Sequence, residues 1–234
     1  MNGNTLTHIA QKTHRLIASR FPAIGVFDDL TSDVSDLRAA FLLESFTNDR
    51  LAVNRLGLLP DSEIISGPSG SGATLVMAAF LHADEAGGRF TDGRLGGWYA
   101  SFDLETAFAE TLHHNTRRLR LSAGGFPNRI QMRELIATID CTLVDVRRMQ
   151  QTQPELYRDS DYSASQAFGS GLRYQKTSPE SGVVFDSVRR ANGINICVFW
   201  PSCIPLPIIQ GGHFEYLWNA VGEVSVSKMT QVPT

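Results

Sequence analysis

The sequence predicts one mixed α/β (α+β) domain, and three observations carry that prediction. The chain has 234 residues, 42% of them hydrophobic, enough to bury one sizeable core. Helical patterning comes first, followed by mixed strands around one central helix. Residues 194–200 form a continuous apolar run, as in a strand covered on both faces. No repeat, low-complexity tract or linker divides the chain. Residues 1–234 therefore read as one unit, with a helical part over about 1–60 and a core over about 73–228.

In chain order, residues 5–20 carry Leu6, Ile9, Ala10, Leu16 and Ile17 among polar positions and read as loosely helical. Ser32 opens a stronger helix. Val34, Leu37, Ala40, Phe41 and Leu42 recur at steps of three and four, and the pattern runs toward Leu56. The Gly/Ser/Pro stretch 66–72 lacks the Gly-Lys-Ser/Thr ending of a phosphate-binding loop and reads as a connector. Residues 73–81 are apolar and ambiguous between helix and strand. Residues 98–102 alternate, with Trp98, Ala100 and Phe102 on one face and Tyr99 and Ser101 on the other. Asp103 is a good N-cap for a helix with a stripe of Leu104, Ala107, Phe108, Thr111 and Leu112; Glu110 and His114 sit at its edge. Residues 134–146, 182–188 and 194–200 read as strands, and 214–218 with 221–226 as a closing hairpin.

Composition removes several functions. A net charge of −3 disfavours a protein that lives on nucleic-acid backbones. Positive charge is nearly all arginine, the only lysines being Lys12, Lys176 and Lys228. Arginine suits bidentate phosphate contacts, although genome composition produces the same bias. Cys141, Cys197 and Cys203 have no zinc-ligand spacing and read as reduced thiols. No signal peptide and no apolar run long enough for a bilayer is visible, so a cytoplasmic protein without membrane contact is expected. Neither a dinucleotide fingerprint after an early strand nor a Gly-x-Ser-x-Gly elbow occurs, and no metal site is expected.

The informative segment is 79–118: a glycine-rich turn holding Arg89, a strand showing Tyr99, and a helix showing Glu110. Glycines let the backbone approach a ligand closely. An arginine fork grips a diphosphate, a tyrosine ring stacks on a flat heterocycle, and a carboxylate steadies developing positive charge. Those services match cleavage of a nucleotide glycosidic bond through an oxocarbenium-like state. Each residue alone has an ordinary structural reading: a solvated arginine, a packed tyrosine, a surface glutamate.

Taken together, these motifs resemble the RES domain. The matching elements are Gly88-Arg89-Phe90, Asp92-Gly93, Gly96-Gly97, Trp98-Tyr99-Ala100, and Glu105-Thr106-Ala107-Phe108-Ala109-Glu110-Thr111 followed by His114. Further on, Ser165-Gln166-Ala167-Phe168-Gly169, residues 182–189 and Val198-Phe199-Trp200-Pro201 are similar to later family motifs, with Ser187 at the family serine. Asp186 stands where the family pattern has proline, and His113 and Asn115 replace a tyrosine and an arginine.

The resemblance implies an ADP-ribosyltransferase-like fold, two small mixed sheets with flanking helices around a cleft for NAD⁺. It implies NAD⁺ as substrate, no metal, and a toxin whose cognate antitoxin covers the cleft; a homodimer is left open. It assigns catalysis to Arg89, Tyr99, Glu110 and Ser187. Arg89 takes the diphosphate, Tyr99 packs on nicotinamide or its ribose, Glu110 stabilises the oxocarbenium, and Ser187 fixes the nicotinamide end or the ribose. His114 is read as orienting Glu110 or as structural, and Arg189 as a second phosphate ligand or a salt-bridged arginine. The expected activity is cleavage of the nicotinamide–ribose bond by hydrolysis or phosphorolysis. The alternatives are ADP-ribosyl transfer to a protein and a non-catalytic binding module.

Overall fold

The computed structural model describes residues 4–19, 35, 36, 38, 39, 57–175 and 179–230. The helix expected from Ser32 toward Leu56 lies outside these residues, apart from those four positions.

Among the described residues seven strands form the framework: β1 (Leu6–Ala18), β2 (Trp98–Ser101), β3 (Asn128–Asp145), β4 (Gly182–Asp186), β5 (Ile194–Val198), β6 (Ile209–Trp218) and β7 (Val224–Met229). Helices α1 (Ala73–Leu81), α2 (Leu104–Leu121) and α3 (Ser163–Arg173) pack on them. The class is mixed α/β, as expected. The sheet order is β1-β2-β5-β4-β3-β6-β7, and β3 also pairs with β1, so five strands close on themselves.

Two expectations are corrected here. The strands make one seven-stranded mixed sheet, not two small ones. The reason is the length of β3. Its first half pairs with β6 from Asn128 to Ile136, and its end pairs in parallel with β4 at Val144 and Asp145. One strand thus belongs to both halves and fuses them. The described part of the segment read as helical, residues 5–19, is not helical either: β1 runs antiparallel to β3 over thirteen residues, Leu6 opposite Val144 to Ala18 opposite Met132. Those backbone bonds outweigh the weak helical pattern.

The remaining elements follow local chemistry. Residues 73–81 resolve to a helix, with Val76, Met77, Phe80 and Leu81 fully buried in the largest core. The Asp103 side chain caps α2 by accepting from Thr106 N at 2.7 Å. The closing hairpin forms as β6 and β7; β6 ends at Trp218 as expected but starts earlier, at Ile209, and β7 lies three residues further along than the pattern indicated.

Alternation divides the sheet into two faces. Trp98, Ala100, Val184, Ile196 and Val198 face the core under α1. On the opposite face Tyr99 pairs with Cys197 and Ser101 with Asn195. This second face, overlaid by α2 and α3, holds the cleft.

Candidate active site

A cavity of about 1010 Å³ opens on this face, with Arg15, Arg89, Tyr99, Glu110, His114 and Asn195 among its lining residues. That volume lies at the upper end of the range for small-molecule sites. The cavity therefore brings four of the six expected residues together: Arg89, Tyr99, Glu110 and His114. Ser187 joins them through a hydrogen bond. Arg189 does not line the cavity.

Glu110 is fixed from three sides. Its Oε1 accepts from Ser187 Oγ at 2.7 Å and from Asn195 Nδ2 at 2.6 Å. Asn195 is itself held by Ser101 Oγ at 2.6 Å. His114 Nε2 stands 3.9 Å from Oε2, one helical turn along α2. Burial lowers the His114 pKa, Glu110 pulls it up, and His113, Arg189 and Arg89 push it down further. Its ring is half-exposed, so solvent weakens that lowering.

Ser187 is fully engaged. Besides donating to Glu110, its oxygen accepts from the backbone N–H groups of Arg189 and Arg190. It therefore pins the carboxylate to the turn after β4. Asp186, the departure from the family pattern, accepts from Arg148 N and so is also bonded. Arg189 is committed to Asp159, both to its carboxylate and to its backbone carbonyl.

The Arg89 loop is held by α3. Gln166 Nε2 donates to the carbonyls of Ala86 and Gly88, Ser170 Oγ to Asp92, and Arg173 Nη1 to the carbonyls of Leu95 and Gly96. Between them Gly169 packs on Phe90, where an added Cβ would lie 2.1 Å from the Phe90 oxygen. Positions 166, 169, 170 and 173 form one helical face, so a single stripe of α3 clamps the whole loop. The loop also requires Gly88, since a Cβ there would meet the Tyr99 hydroxyl at 2.5 Å.

Tyr99 helps hold the same loop. Its hydroxyl accepts from Phe90 N at 2.9 Å and lies 3.1 Å from Thr91 Oγ1. Burial raises the phenol well above its ordinary pKa and keeps it protonated. The hydroxyl is therefore used on the protein, and the ring is the part available to a ligand.

Arg89 is 7% exposed; its Nη1 donates to the carbonyls of Leu156 and Arg158, and its guanidinium lies 4.6 Å from the Tyr162 ring centre. Arg15, on β1, donates to the Tyr99 carbonyl at 2.9 Å and stacks on Trp98. Burial lowers its pKa to about 10, which leaves it a cation at neutral pH. Among the described residues neither arginine has a carboxylate partner. Two such cations lining one cavity are costly unless an anion joins them.

Sequence reasoning missed Arg15 and Asn195. Arg15 was hidden by the helical reading of its segment. Asn195 is the one polar residue inside the apolar run 194–200, and that contrast was the available signal. Among the described residues no cluster of His, Cys, Asp and Glu is arranged to hold a metal, and no helix is long and apolar enough to cross a membrane.

Comparison with known proteins adds the following. Residues 65–219 match the RES domain. The uncharacterized protein y4oC of Sinorhizobium fredii is 25% identical over 217 residues, covering 90% of this chain and 84% of its own length. The crystal structure of the M. tuberculosis MbcT–MbcA toxin–antitoxin complex contains a chain with a TM-score of 0.45 and 12% identity, covering 92% of this chain and 88% of that one.

Proposed function

This chain belongs to the RES domain family, and from that premise we propose that it is an NAD⁺-consuming enzyme that breaks the nicotinamide–ribose bond. The observation that carries the reading is the fixed carboxylate. Glu110 is gripped through one oxygen by Ser187 and Asn195, at the wall of a dinucleotide-sized cavity that also holds two carboxylate-free arginines.

In this reading Arg89 and Arg15 take the diphosphate, and their charges become compensated when NAD⁺ binds. The ring of Tyr99 packs on the nicotinamide or its ribose. Glu110 Oε2 faces the ribose and stabilises positive charge as the bond to nicotinamide breaks. Ser187 and Asn195 act through Glu110, holding it before the charge develops, so no reorganisation is needed at that moment. His114 orients Glu110 from the next turn. A protein antitoxin that covers this cleft is the partner the family reading implies.

Incubation of the purified protein with NAD⁺, followed by chromatography for free nicotinamide, tests the reading. Nicotinamide release supports it, and intact NAD⁺ favours a non-catalytic binding module. Labelled NAD⁺ added with cell extract separates the two enzymatic outcomes: a labelled macromolecule marks ADP-ribosyl transfer, whereas small products alone mark cleavage to free ADP-ribose or its phosphate.

A further inference from the structure

A second acid–base pair reaches the cavity through His14. His14 Nδ1 lies 2.6 Å from Glu134 Oε1. A carboxylate oxygen accepts here, so in the neutral imidazole Nδ1 carries the proton and Nε2 keeps its lone pair. Glu134 Oε2 accepts from Gly212 N at 2.9 Å. The Glu134 side chain is 7% exposed, that of His14 23%, and His14 is a wall residue of the cavity. Among the described residues His14 Nε2 has no hydrogen-bond partner.

The backbone is shaped around this pair. Arg133 of β3 is opposite His213, but Leu135 is opposite Gln210, so Glu134 faces the two residues Gly211 and Gly212. This is a β-bulge, a device that re-aims side chains beside active sites. A Cβ at Gly211 would lie 2.2 Å from Glu134 Oε2. The carboxylate therefore occupies space that only glycine leaves. On the other side, His14 is the one residue of β1 paired with β2, opposite Ser101. Ser101 holds Asn195, which holds Glu110. The imidazole thus stands on the same face as the Glu110 anchor, about two strand spacings, ~10 Å, from Asn195. That separation leaves room for a ribose and an attacking molecule between them.

We propose that His14 is the general base for the attacking acceptor and that Glu134 is its positioning residue. The proposal rests on the NAD⁺-cleaving reading and narrows it: the acceptor is a neutral O–H group, in the simplest case water. The bond from ribose C1′ to the nicotinamide nitrogen breaks, and its electron pair leaves with nicotinamide. The water oxygen forms the new bond to C1′, and its proton goes to His14 Nε2. The resulting imidazolium is stabilised by Glu134 until the proton passes to solvent, as in other carboxylate–imidazole pairs. The products are nicotinamide, ADP-ribose and a proton. An acceptor that is already fully deprotonated, such as azide, has no proton to lose and gains nothing from this pair.

The test is a partition experiment with NAD⁺ and sodium azide, an anionic nucleophile, using the full chain. Chromatography measures the ratio of ADP-ribosyl azide to ADP-ribose. His14→Gln removes the base. Glu134→Gln acts independently: Gly212 N–H keeps the amide oxygen, so the amide NH₂ meets Nδ1 and moves the imidazole proton to Nε2. Either variant should raise the azide-to-water product ratio about tenfold or more. A merely structural pair would slow both products alike and leave the ratio unchanged. An unchanged ratio in a variant that still releases nicotinamide overturns the role of His14 alone. Absence of nicotinamide release by the wild-type protein overturns the NAD⁺ reading and this proposal together.

Discussion

Ser187 and Glu110 stand 77 residues apart in the chain and meet through a 2.7 Å hydrogen bond. The serine begins the turn after β4 and the glutamate sits in the second turn of α2, so their contact joins the two halves of the fold at the cleft. Asn195 shares the same carboxylate oxygen.

Because both donors hold one oxygen, their removal should be non-additive. Ser187→Ala and Asn195→Ala should each lower kcat about tenfold, the scale of a hydrogen bond to a charged group. The double variant should lose less than the product of the two. A double-mutant cycle on nicotinamide release measures this, and strict additivity would mean that the residues act separately.

Arg15→Met should separate stability from binding. It removes a half-buried cation that has no carboxylate partner among the described residues, so the melting temperature should hold or rise. KM for NAD⁺ should rise about tenfold, for loss of one charge-assisted contact of about 1.4 kcal/mol. Thermal melts and initial rates check both. An unchanged KM would remove Arg15 from the diphosphate site.

Two glycines of α3 should respond with opposite signs. Gly169→Ala drives a Cβ to within 2.1 Å of the Phe90 oxygen and should cost about 1–3 kcal/mol, with loss of activity as the Arg89 loop shifts. Gly171 has nothing within 4 Å of an added Cβ, and Gly171→Ala should stabilise the helix by about 0.5–1 kcal/mol. Urea unfolding of both variants is the measurement, and equal effects would contradict the clamp.

Asp145 gives a pH prediction. Hydrogen bonds from Arg147 lower its pKa, burial opposes them, and Thr7 lowers it further. The folded pKa thus lies below the unfolded value of about 3.9. The ionised form stabilises the fold above that value, and the contribution is lost as pH falls through the lower folded pKa. Asp145→Asn should therefore cost about 1–2 kcal/mol at pH 7. Urea titrations should show the gap to wild type closing in acid. A gap that persists below the folded pKa would contradict the assignment.

Much of this site was legible because its motifs are local. The glycine turn, the Trp98–Ser101 strand and the Asp103 cap follow from residue type over a few positions. The α3 stripe is legible only in part, since Gln166 and Gly169 stood out while their targets at 86–90 are set by packing. β1 was misread for a physical reason. Its buried residues are Ile9, Thr13 and Leu16, spaced by four and three as in a helix. The spacing arises because Ile9 packs in the core under α1 and Leu16 in the separate cluster under α2, on the other face of the strand. The β-branched Thr5, Thr7, Ile9, Thr13 and Ile17 at odd positions were the missed strand signal. The fusion into one sheet depends on how far β3 extends, and the alternation of Ile130 and Met132 with Arg129, Gln131 and Arg133 was the missed sign that the strand begins before 134.

The most direct test of the account is the rate of nicotinamide release from NAD⁺ by Glu110→Ala beside wild type, with folding of both checked by circular dichroism. The account predicts release by the wild-type protein and a loss of about 10²–10³ in kcat for the variant. A folded Glu110→Ala protein that degrades NAD⁺ at the wild-type rate would contradict it.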